Sequence, residues 1–338
     1  MRILVMGGTW FLGKAIVETA LARGWDVTTF NRGRSGVDAP GVEAVHGDRT
    51  VQEDLRKLAQ RGPWDAVVDT SSSELPPRDV LLATTTLAGR ARRWVHLSTV
   101  SVYEGWPHEP LTEDSPPLLR CPADDDGSFG YTGDNGSPTK YGFQKAGGER
   151  AVAEAFGDEA VFLRPGVILG PGEYVGRLPW WLERAKRGGR MLAPAPAEQR
   201  IQPVDVRDVA TFAVHQAAGT GRGAFNVTHP DGTSFGDFLT ECLRVTGSDG
   251  TPVWVEPDVL TEHRVKQWTE VPLWRTHAGV WSVDARRAVE AGLRCRPIAD
   301  TVRDTWKWWA GDGRPVDHPR RAEHGIAADK EERIIASL

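Results

Sequence analysis

Residues 2–24 read RILVMGGTWFLGKAIVETALARG and decide the fold of this chain. The apolar run ILVM predicts a buried β-strand, and LGKAIVETALARG has the apolar spacing of an amphipathic helix that ends at Gly24. Between them lies GGTWFLG, a glycine-rich turn at residues 7–13. A strand, a glycine-rich turn and a helix in this order are typical of a phosphate-binding βαβ unit, in which the N–H groups at the helix N-terminus face an anion.

The rest of the first half repeats the alternation of short apolar runs and helical patterns. Five further strands are predicted at DVTTFNRG, VEAVHGD, WDAVVDTSS, RRWVHLSTVSVY and AVFLRPGVILG, with helices at VLLATTTLAG and at residues 138–156. Alternating strands and helices indicate an α/β protein with a doubly wound parallel sheet. Residues 104–137 interrupt the pattern. They are rich in Pro, Gly, Asp and Ser and predict a long loop over the active-site edge of the sheet.

The second half predicts a return to the sheet and a smaller lobe. PWWLERAKRGG indicates a helix of that lobe, and RIQPVDVRDVATFAVHQAA a strand and helix that return to the first domain. We expect a nucleotide-binding domain at 1–171 that also includes 201–222. Residues 172–200 and 223–338 are expected to form a C-terminal substrate-binding lobe, with an extended strap at 311–327.

Composition excludes several classes of protein. The net charge of -5 and the pI near 6.0 argue against a nucleic-acid-binding surface. The three cysteines lack metal-ligand spacing, so we expect a reduced, cytoplasmic protein without a metal. We find no signal peptide and no apolar run near the roughly 18 residues that a membrane span needs.

The glycine-rich turn predicts a dinucleotide site. Gly7 permits the tight turn, and Gly13 lets the helix pack on the sheet. The alternative is an ordinary strand-to-helix turn, but the strand before it and the helix after it favour binding. Trp10 stands where the pattern has its middle glycine, so its ring must turn outward or cover the cofactor. The predicted pyrophosphate contacts are Gly7, Thr9, Trp10, Phe11, Leu12 and Gly13.

The end of the second predicted strand, FNRGRSG, bears on the choice of cofactor. An NAD-preferring enzyme usually has a carboxylate here that accepts from the ribose 2′-hydroxyl. This chain has Asn31, followed by Arg32 and Arg34, and guanidinium groups suit a 2′-phosphate. The sequence therefore favours NADP, with NAD as the alternative because surface arginines are common.

Four more residues after the third and fourth strands are predicted to contact the cofactor: Asp48, Arg49, Thr70 and Ser71. Asp48 is placed to bind the adenine amino group. It is equally well suited to cap the local GDRT turn.

Tyr141 and Lys145 predict acid–base chemistry. Their spacing of four puts them on one helix face. A nearby ammonium lowers the pKa of a phenol, which can then give or take a proton at a substrate oxygen. Such a pair is common by chance in helices, and it gains weight here from its place after the fifth strand.

The ordered stretches GGTWFLG, LSTVSVYEG, KYGFQKAGGE, LRPGVILGPG, QPVDVRDVA and FNV resemble the extended short-chain dehydrogenase/reductase family, also called the NAD-dependent epimerase/dehydratase family. The resemblance covers residues 1–228. It implies a Rossmann-type sheet with a smaller C-terminal lobe, and dimerisation through helices here at 77–90 and 138–156. It also implies that Tyr141 is the acid/base, that Lys145 holds the nicotinamide ribose, and that Thr99 polarises the substrate oxygen. Pro165 and Val167 fall among its cofactor contacts.

Three departures from the family's pattern narrow the chemistry. Val100 and Ser101 follow Thr99 where sugar-nucleotide dehydratases carry Asp and Glu, so that dehydration is not expected. Val167 replaces an Asn of sugar-nucleotide enzymes, and Arg200 is out of register by one position. We predict an apolar substrate, with contacts from Val100, Ser101, Tyr103, Trp180 and Gln202. The neighbouring Trp181 is also expected to line this pocket.

These observations predict an NADP(H)-dependent oxidoreductase that acts on a small, apolar carbonyl or alcohol, or an imine. The first alternative is a sugar or nucleotide-sugar epimerase that retains its cofactor. The second is an RNA-binding or regulatory member of the fold without turnover. The predicted partner is a small-molecule substrate, with neither nucleic acid nor membrane.

Overall fold

The structure is a computed structural model that describes residues 1–73, 75–115, 118–130, 139–311, 313 and 318–338. Within these residues the strands are β1 (Arg2–Met6), β2 (Asp26–Asn31), β3 (Glu43–His46), β4 (Trp64–Asp69), β5 (Ala91–Leu97), β6 (Ala160–Pro165), β7 (Ile168–Leu169), β8 (Arg190–Pro194), β9 (Arg200–Ile201), β10 (Val204–Asp205), β11 (Gly223–Val227), β12 (Thr233–Ser234) and β13 (Thr251–Val255). The helices are α1 (Phe11–Ala22), α2 (Gln52–Ala59), α3 (Pro77–Leu87), α4 (Lys140–Phe156), α5 (Arg177–Lys186), α6 (Val206–Ala218), α7 (Phe235–Thr246), α8 (Pro257–Glu262), α9 (Arg286–Glu290), α10 (Ile298–Ala310), α11 (Pro319–Ala322) and α12 (Ala328–Ala336).

The central sheet has seven parallel strands in the order β11-β6-β5-β4-β1-β2-β3. Strand β1 is buried on both faces: Ile3 and Val5 pack into one core, and Leu4 and Met6 into the other. Helices α1 and α6 cover the first core, and α2, α3 and α4 cover the second. Helices on both faces of a parallel sheet make the doubly wound architecture that the sequence predicts.

One predicted domain boundary is wrong by a strand. Strand β11 pairs in parallel with β6 and belongs to the central sheet, whereas we expected residue 223 to begin the substrate-binding lobe. The apolar pattern of FNV identifies a strand but does not say which sheet it joins. Helix α6 and β11 together form a further crossover onto the sheet edge, so the domain that contains the central sheet extends through Val227.

The smaller lobe is built around the parallel pair of β8 and β13. Helices α5, α7 and α10 pack together beside this pair. The lobe has its own core, which includes Trp181, Phe235, Phe238 and Trp274. Large aromatic side chains bury much apolar surface each, which lets a lobe with so little sheet keep a stable interior.

The two irregular segments are only partly described. In the predicted loop at 104–137, bridges join Tyr103 to Leu118 and Leu111 to Val283, while 116–117 and 131–138 lie outside the described residues. The predicted strap at 311–327 contains the short helix α11; residues 312 and 314–317 are not described. Among the helices of the described residues, none has the length and apolar character to cross a membrane.

Candidate active site

The glycine-rich turn between β1 and α1 forms a tight cradle. Gly7 and Gly8 have φ angles of 107° and 105°, which side-chain-bearing residues rarely adopt. A Cβ at Gly13 would lie 2.8 Å from the Gly8 backbone nitrogen, so only glycine allows the helix to start this close to the turn. No side chain caps α1 at Trp10, which leaves the N–H groups of its first turn available to an anion. The cradle has the space and the donors that a pyrophosphate requires.

The Trp10 ring turns away from the cradle and toward the second lobe. Its centroid lies 4.3 Å from that of Tyr174 and 5.6 Å from that of His318. Phe11 meets Tyr174 edge-on at 6.0 Å. The aromatic residues of the turn thus pack directly against Tyr174 and His318.

A carboxylate that the sequence did not single out lies at the end of β2. Asp38 Oδ1 accepts from the Thr29 hydroxyl at 2.7 Å and from Asn31 Nδ2 at 2.8 Å, and Oδ2 lies 3.0 Å from His46 Nε2. The Asn31 side-chain oxygen in turn accepts from the Gly33 N–H at 2.8 Å. The chain leaves β2 after Asn31 and returns seven residues later to place Asp38 beside it. The sequence gives no signal for this return.

Arg32 and Arg34 are exposed beside this network. Both guanidinium groups contribute to a lowered pKa of Asp48, after its hydrogen bonds from Thr50. Asp48 Oδ1 accepts from the backbone N–H of Thr50 at 2.9 Å and from its hydroxyl at 2.8 Å. This oxygen therefore has the local turn role that we considered, and an adenine contact of Asp48 stays a prediction.

The other cofactor-side residues are engaged within the protein. Arg49 makes a two-point pair with Asp69, at 2.6 and 3.1 Å, and also donates to the Ser71 hydroxyl at 2.8 Å. The Thr70 hydroxyl donates to the Met6 carbonyl at 2.9 Å and lies where Gly7 and Gly13 approach the strand end. These contacts hold the carboxyl ends of β1 and β4 in place around the cradle.

Thr99 and Tyr141 meet above the carboxyl end of β5. Helix α4 begins at Lys140, capped by the Thr139 hydroxyl, and carries Tyr141 in its first turn. The Thr99 hydroxyl accepts from the Ser101 N–H at 3.2 Å and donates to the Ser101 hydroxyl at 3.3 Å, and it is close enough to the Tyr141 phenol to act on its pKa. A Cβ at Gly142 would lie 2.5 Å from the Ser101 carbonyl oxygen, so this glycine sets how closely α4 approaches.

Lys145 lies one turn further along α4 and points beneath the site. Its ammonium is buried and donates to the Leu97 carbonyl at 2.6 Å and to the Ser72 hydroxyl at 3.1 Å. Burial lowers its pKa to about 8, against the opposing effect of Asp69. Ser72 is a partner that sequence reasoning missed, although the TSSS run at the end of β4 offered a signal.

The Tyr141 phenol is protonated at neutral pH. Its surface is 37 % exposed overall, but burial around the hydroxyl, followed by Tyr174, raises its pKa to about 12. The hydrogen bond with Thr99 and the charges of Arg320 and Arg177 act in the opposite direction. The net effect is a raised pKa, contrary to our expectation of a lowered one, and the Lys145 ammonium is directed to Ser72 and Leu97.

A buried polar pair supports the floor of the site. Asp69 is fully buried, and Arg49 and His96 hold its pKa well below the usual range despite the cost of burial. His96 Nδ1 lies 3.5 Å from Asp69 Oδ2. Asp69 is the last residue of β4 and His96 the penultimate residue of β5, positions at which parallel strands place functional groups. Sequence reasoning overlooked both residues.

Two predicted substrate contacts are structural instead. The Tyr103 hydroxyl is buried, donates to Asn226 Oδ1 at 2.8 Å and accepts from Arg164 at 2.8 Å. Gln202 is buried and bonds both to the Val283 N–H and to the Val283 carbonyl, at 3.0 and 3.1 Å. Neither side chain has a group left for a ligand, so we correct both assignments.

The two tryptophans that we expected to line the substrate pocket, Trp180 and Trp181, lie elsewhere. Trp181 is fully buried and donates to the Pro272 carbonyl at 2.9 Å, and Trp180 packs edge-on against it. The remaining predicted contacts, Val100, Ser101, Pro165 and Val167, lie at the ends of β5 and β6, and their contacts with ligands stay predictions. A different aromatic group packs in and against the core of the smaller lobe: Trp106, Trp268 and Trp281.

The sequence profile of the NAD-dependent epimerase/dehydratase family matches residues 3–227. Sterol-4-alpha-carboxylate 3-dehydrogenase, decarboxylating, of Bos taurus is 28 % identical over 268 residues, which cover 72 % of this chain and 69 % of the relative. Chloroplast stem-loop binding protein of 41 kDa b of Arabidopsis thaliana is 23 % identical, over 73 % of this chain and 63 % of its own length. The crystal structure of the Bordetella bronchiseptica enzyme WbmH in complex with NAD+ superposes with a TM-score of 0.70 at 19 % identity, covering 93 % of this chain and 99 % of that one.

Proposed function

The chain belongs to the NAD-dependent epimerase/dehydratase family, and on that premise we propose that it is an NADP(H)-dependent oxidoreductase acting on an apolar carbonyl or alcohol. The observation that carries the proposal is the contact of Thr99 with Tyr141 over the buried Lys145, at the strand ends beside the glycine cradle. When bound there, the nicotinamide supplies or accepts the hydride.

In this proposal Tyr141 moves the proton at the substrate oxygen. Its raised pKa keeps the phenol protonated at neutral pH, which suits the donation of a proton to a carbonyl that is being reduced. The Thr99 hydroxyl orients the Tyr141 phenol and the substrate oxygen. Lys145 holds the nicotinamide ribose from below, and its cation stabilises negative charge that develops on the oxygen.

The proposal of NADP rests on the charges at the end of β2. Contacts with Thr29, Asn31 and His46 already use much of the accepting capacity of Asp38, which makes this carboxylate a weaker acceptor for a ribose 2′-hydroxyl. The exposed guanidinium groups of Arg32 and Arg34 are not paired with a single carboxylate in this way. A 2′-phosphate would therefore meet two cations.

We predict that Arg32→Ala lowers NADP affinity by about 10- to 150-fold, the range for one lost charge-assisted hydrogen bond, while NAD affinity stays the same. Isothermal titration of both cofactors measures this, and Arg34→Ala is expected to act in the same direction. Arg56→Ala, on the exposed face of α2, is the matched control. NAD binding as tight as NADP binding in the unaltered protein would refute the preference.

The proposal of an apolar substrate rests on the aromatic group Trp106, Trp268 and Trp281, and on the apolar or hydroxyl side chains at positions 100, 101 and 167. The relative from Bos taurus is, by its name, a dehydrogenase of a sterol, an apolar polycyclic alcohol. The epimerase alternative requires groups that pair with sugar hydroxyls, each of which costs about 1–3 kcal/mol when buried unpaired.

A ligand panel tests the proposed substrate class. With NADP present, aryl and alkyl carbonyl compounds are expected to raise the melting temperature and to be reduced with consumption of NADPH. UDP- and dTDP-sugars are the comparison arm and are expected to give little stabilisation. Stabilisation by a sugar nucleotide alone, without net oxidation of NADPH, would establish the epimerase instead.

The third possibility is an RNA-binding member of the family, which the name of the Arabidopsis thaliana relative suggests. The net charge of -5 and the intact group of Thr99, Tyr141 and Lys145 argue against it.

A further inference from the structure

Two guanidinium groups lie over the same tryptophan ring in the smaller lobe. The Arg177 Cζ lies 5.1 Å from the centroid of Trp268, and the Arg275 Cζ lies 4.4 Å from the same centroid. Arg275 also stacks on Trp106 at 5.1 Å. Trp268 has a φ of 70°, a costly backbone conformation for an aromatic residue, of a kind that clusters at ligand sites.

The positive charge of Arg177 and Arg275 is larger than the negative charge of the carboxylates near them. Arg177 is 9 % exposed and lies 3.6 Å from Glu173, but the oxygens of Glu173 also accept from the N–H groups of Arg177 and Leu178 that begin α5. Arg177 Nε is buried without a hydrogen bond. No carboxylate among the described residues lies within 4.0 Å of Arg275. Like charge from Arg320 also acts on Arg177.

Other buried arginines of this protein make close hydrogen bonds with a carboxylate through two contacts each, although Arg49 Nε, like Arg177 Nε, is buried without a hydrogen bond. Arg164 makes a two-point contact with Glu149, at 2.9 and 2.6 Å. Arg184 meets both oxygens of Glu331 at 2.8 and 2.9 Å, and Arg49 pairs with Asp69. A buried charge without a full partner is costly, so such charges generally have one. The group of Arg177 and Arg275 departs from the protein's own pattern.

The cationic group lies next to the proposed proton donor. Arg177 and Arg320 both act electrostatically on the Tyr141 phenol. Arg275 acts on Arg177 in turn, and burial together with Arg177 lowers the Arg275 pKa to about 10, so it remains charged at neutral pH. Arg177 and Arg320 are therefore close enough to act on the proposed proton donor, and Arg275 lies with Arg177 over the ring of Trp268.

We propose that Arg177 and Arg275 bind a carboxylate carried by the substrate, while the rings of Trp106 and Trp268 cover its apolar part. This inference rests on the proposed oxidoreductase function and names its substrate class: an apolar hydroxy acid or oxo acid. A planar guanidinium fork matches a carboxylate with two parallel hydrogen bonds. Glu173 limits the surplus of positive charge, which favours a monoanion over a diphosphate.

The test compares acids with their uncharged esters. The probes are straight-chain 3-hydroxy acids from butanoate to dodecanoate and the methyl ester of each, titrated with NADP+ present and followed by tryptophan fluorescence. We expect at least one acid to bind more tightly than its ester. Arg275→Gln should weaken the binding of that acid by about 10- to 150-fold and leave the ester unchanged. Arg275→Lys, which keeps the charge, should retain part of the affinity, and Arg333→Gln on the exposed face of α12 is the control.

Three results would overturn the inference. One is that no acid in the series binds more tightly than its ester. The second is that Arg275→Gln weakens NADP binding by the same factor as acid binding, which would assign the cations to the cofactor phosphates. The third is that inorganic phosphate displaces the acid at lower concentration than acetate does and the preferred ligand is a phosphate ester.

The two proposals can fail separately. Tight NADP binding and reduction of simple ketones without any preference for acids would refute the carboxylate site and leave the oxidoreductase intact. Acid binding that depends on Arg275 without any turnover of NADPH would refute the oxidoreductase and leave the anion site standing.

Discussion

Tyr141→Phe is expected to lower kcat by about 10²- to 10⁴-fold while the Kd for NADP barely changes, because the substitution keeps the ring and removes the transferable proton. The phenol lies in the first turn of α4 close to Thr99, and burial keeps it protonated. Among the groups that act on this phenol, Tyr174 also carries a phenol proton, so its variant is measured alongside.

The measurement is steady-state reduction of the best carbonyl from the ligand panel, combined with titration of NADP into both proteins. Tyr174→Phe is the comparison variant: it removes a second phenol hydroxyl that acts electrostatically on Tyr141, and a loss as large as that of Tyr141→Phe would show that Tyr174 moves the proton. Retention of most activity by Tyr141→Phe would mean that another group moves the proton.

The fold follows from the sequence wherever the signal is local. Strand β1, the glycine turn and α1 occupy the predicted places because apolar run, turn residues and helical spacing all act within 23 consecutive residues. The same holds for β2 to β6 and α3. Helix α2 was missed, because only Leu55 and Leu58 of its eight residues are apolar and buried.

The membership of β11 could not be predicted, because the partner of an apolar strand depends on contacts with residues far away in the chain. Val227 pairs with Pro165, more than sixty positions earlier. A local pattern carries no record of such a pairing.

The same difference between local signals and contacts of distant residues applies to the candidate site. The spacing of Tyr141 and Lys145 on α4 and the position of Thr99 at the end of β5 are local, and the three residues do lie together. From the spacing alone we expected a lowered Tyr141 pKa, but burial of the hydroxyl raises it. The Lys145 ammonium donates to the Leu97 carbonyl, 48 positions away, a contact that the spacing does not predict.

Polar and aromatic residues outside the motifs were the hardest to place. Tyr103 and Gln202, which lie in the stretches LSTVSVYEG and QPVDVRDVA, were predicted as substrate contacts, but Asn226 and Val283 occupy their hydrogen-bonding groups. Conversely, Arg177 and Arg275 stand in unremarkable stretches. Only the fold brings both guanidinium groups onto the ring of Trp268.

Lys145→Met should lower kcat by about 10²- to 10³-fold, the typical loss when one electrostatic contact to developing charge is removed. It should also weaken NADP binding, unlike Tyr141→Phe, because Lys145 is proposed to hold the ribose. Methionine keeps most of the buried volume but leaves the Leu97 carbonyl without its donor, which costs about 1–3 kcal/mol of folding stability. Lys57→Met, on an exposed face of α2, is the control for removal of a charge.

The pH dependence distinguishes a role for the Lys145 charge from a merely structural role. Burial lowers the pKa of Lys145 to about 8, so the ammonium prevails below that pH and is lost above it. Tyr141, with a pKa of about 12, stays protonated throughout this range. For carbonyl reduction, kcat/KM of the unaltered enzyme should therefore fall as the pH rises through about 8. The Tyr141→Phe variant is slower, and its kcat/KM should fall over the same pH range. In Lys145→Met the profile should be level there, and a fall that persists in this variant would assign the titration to another group.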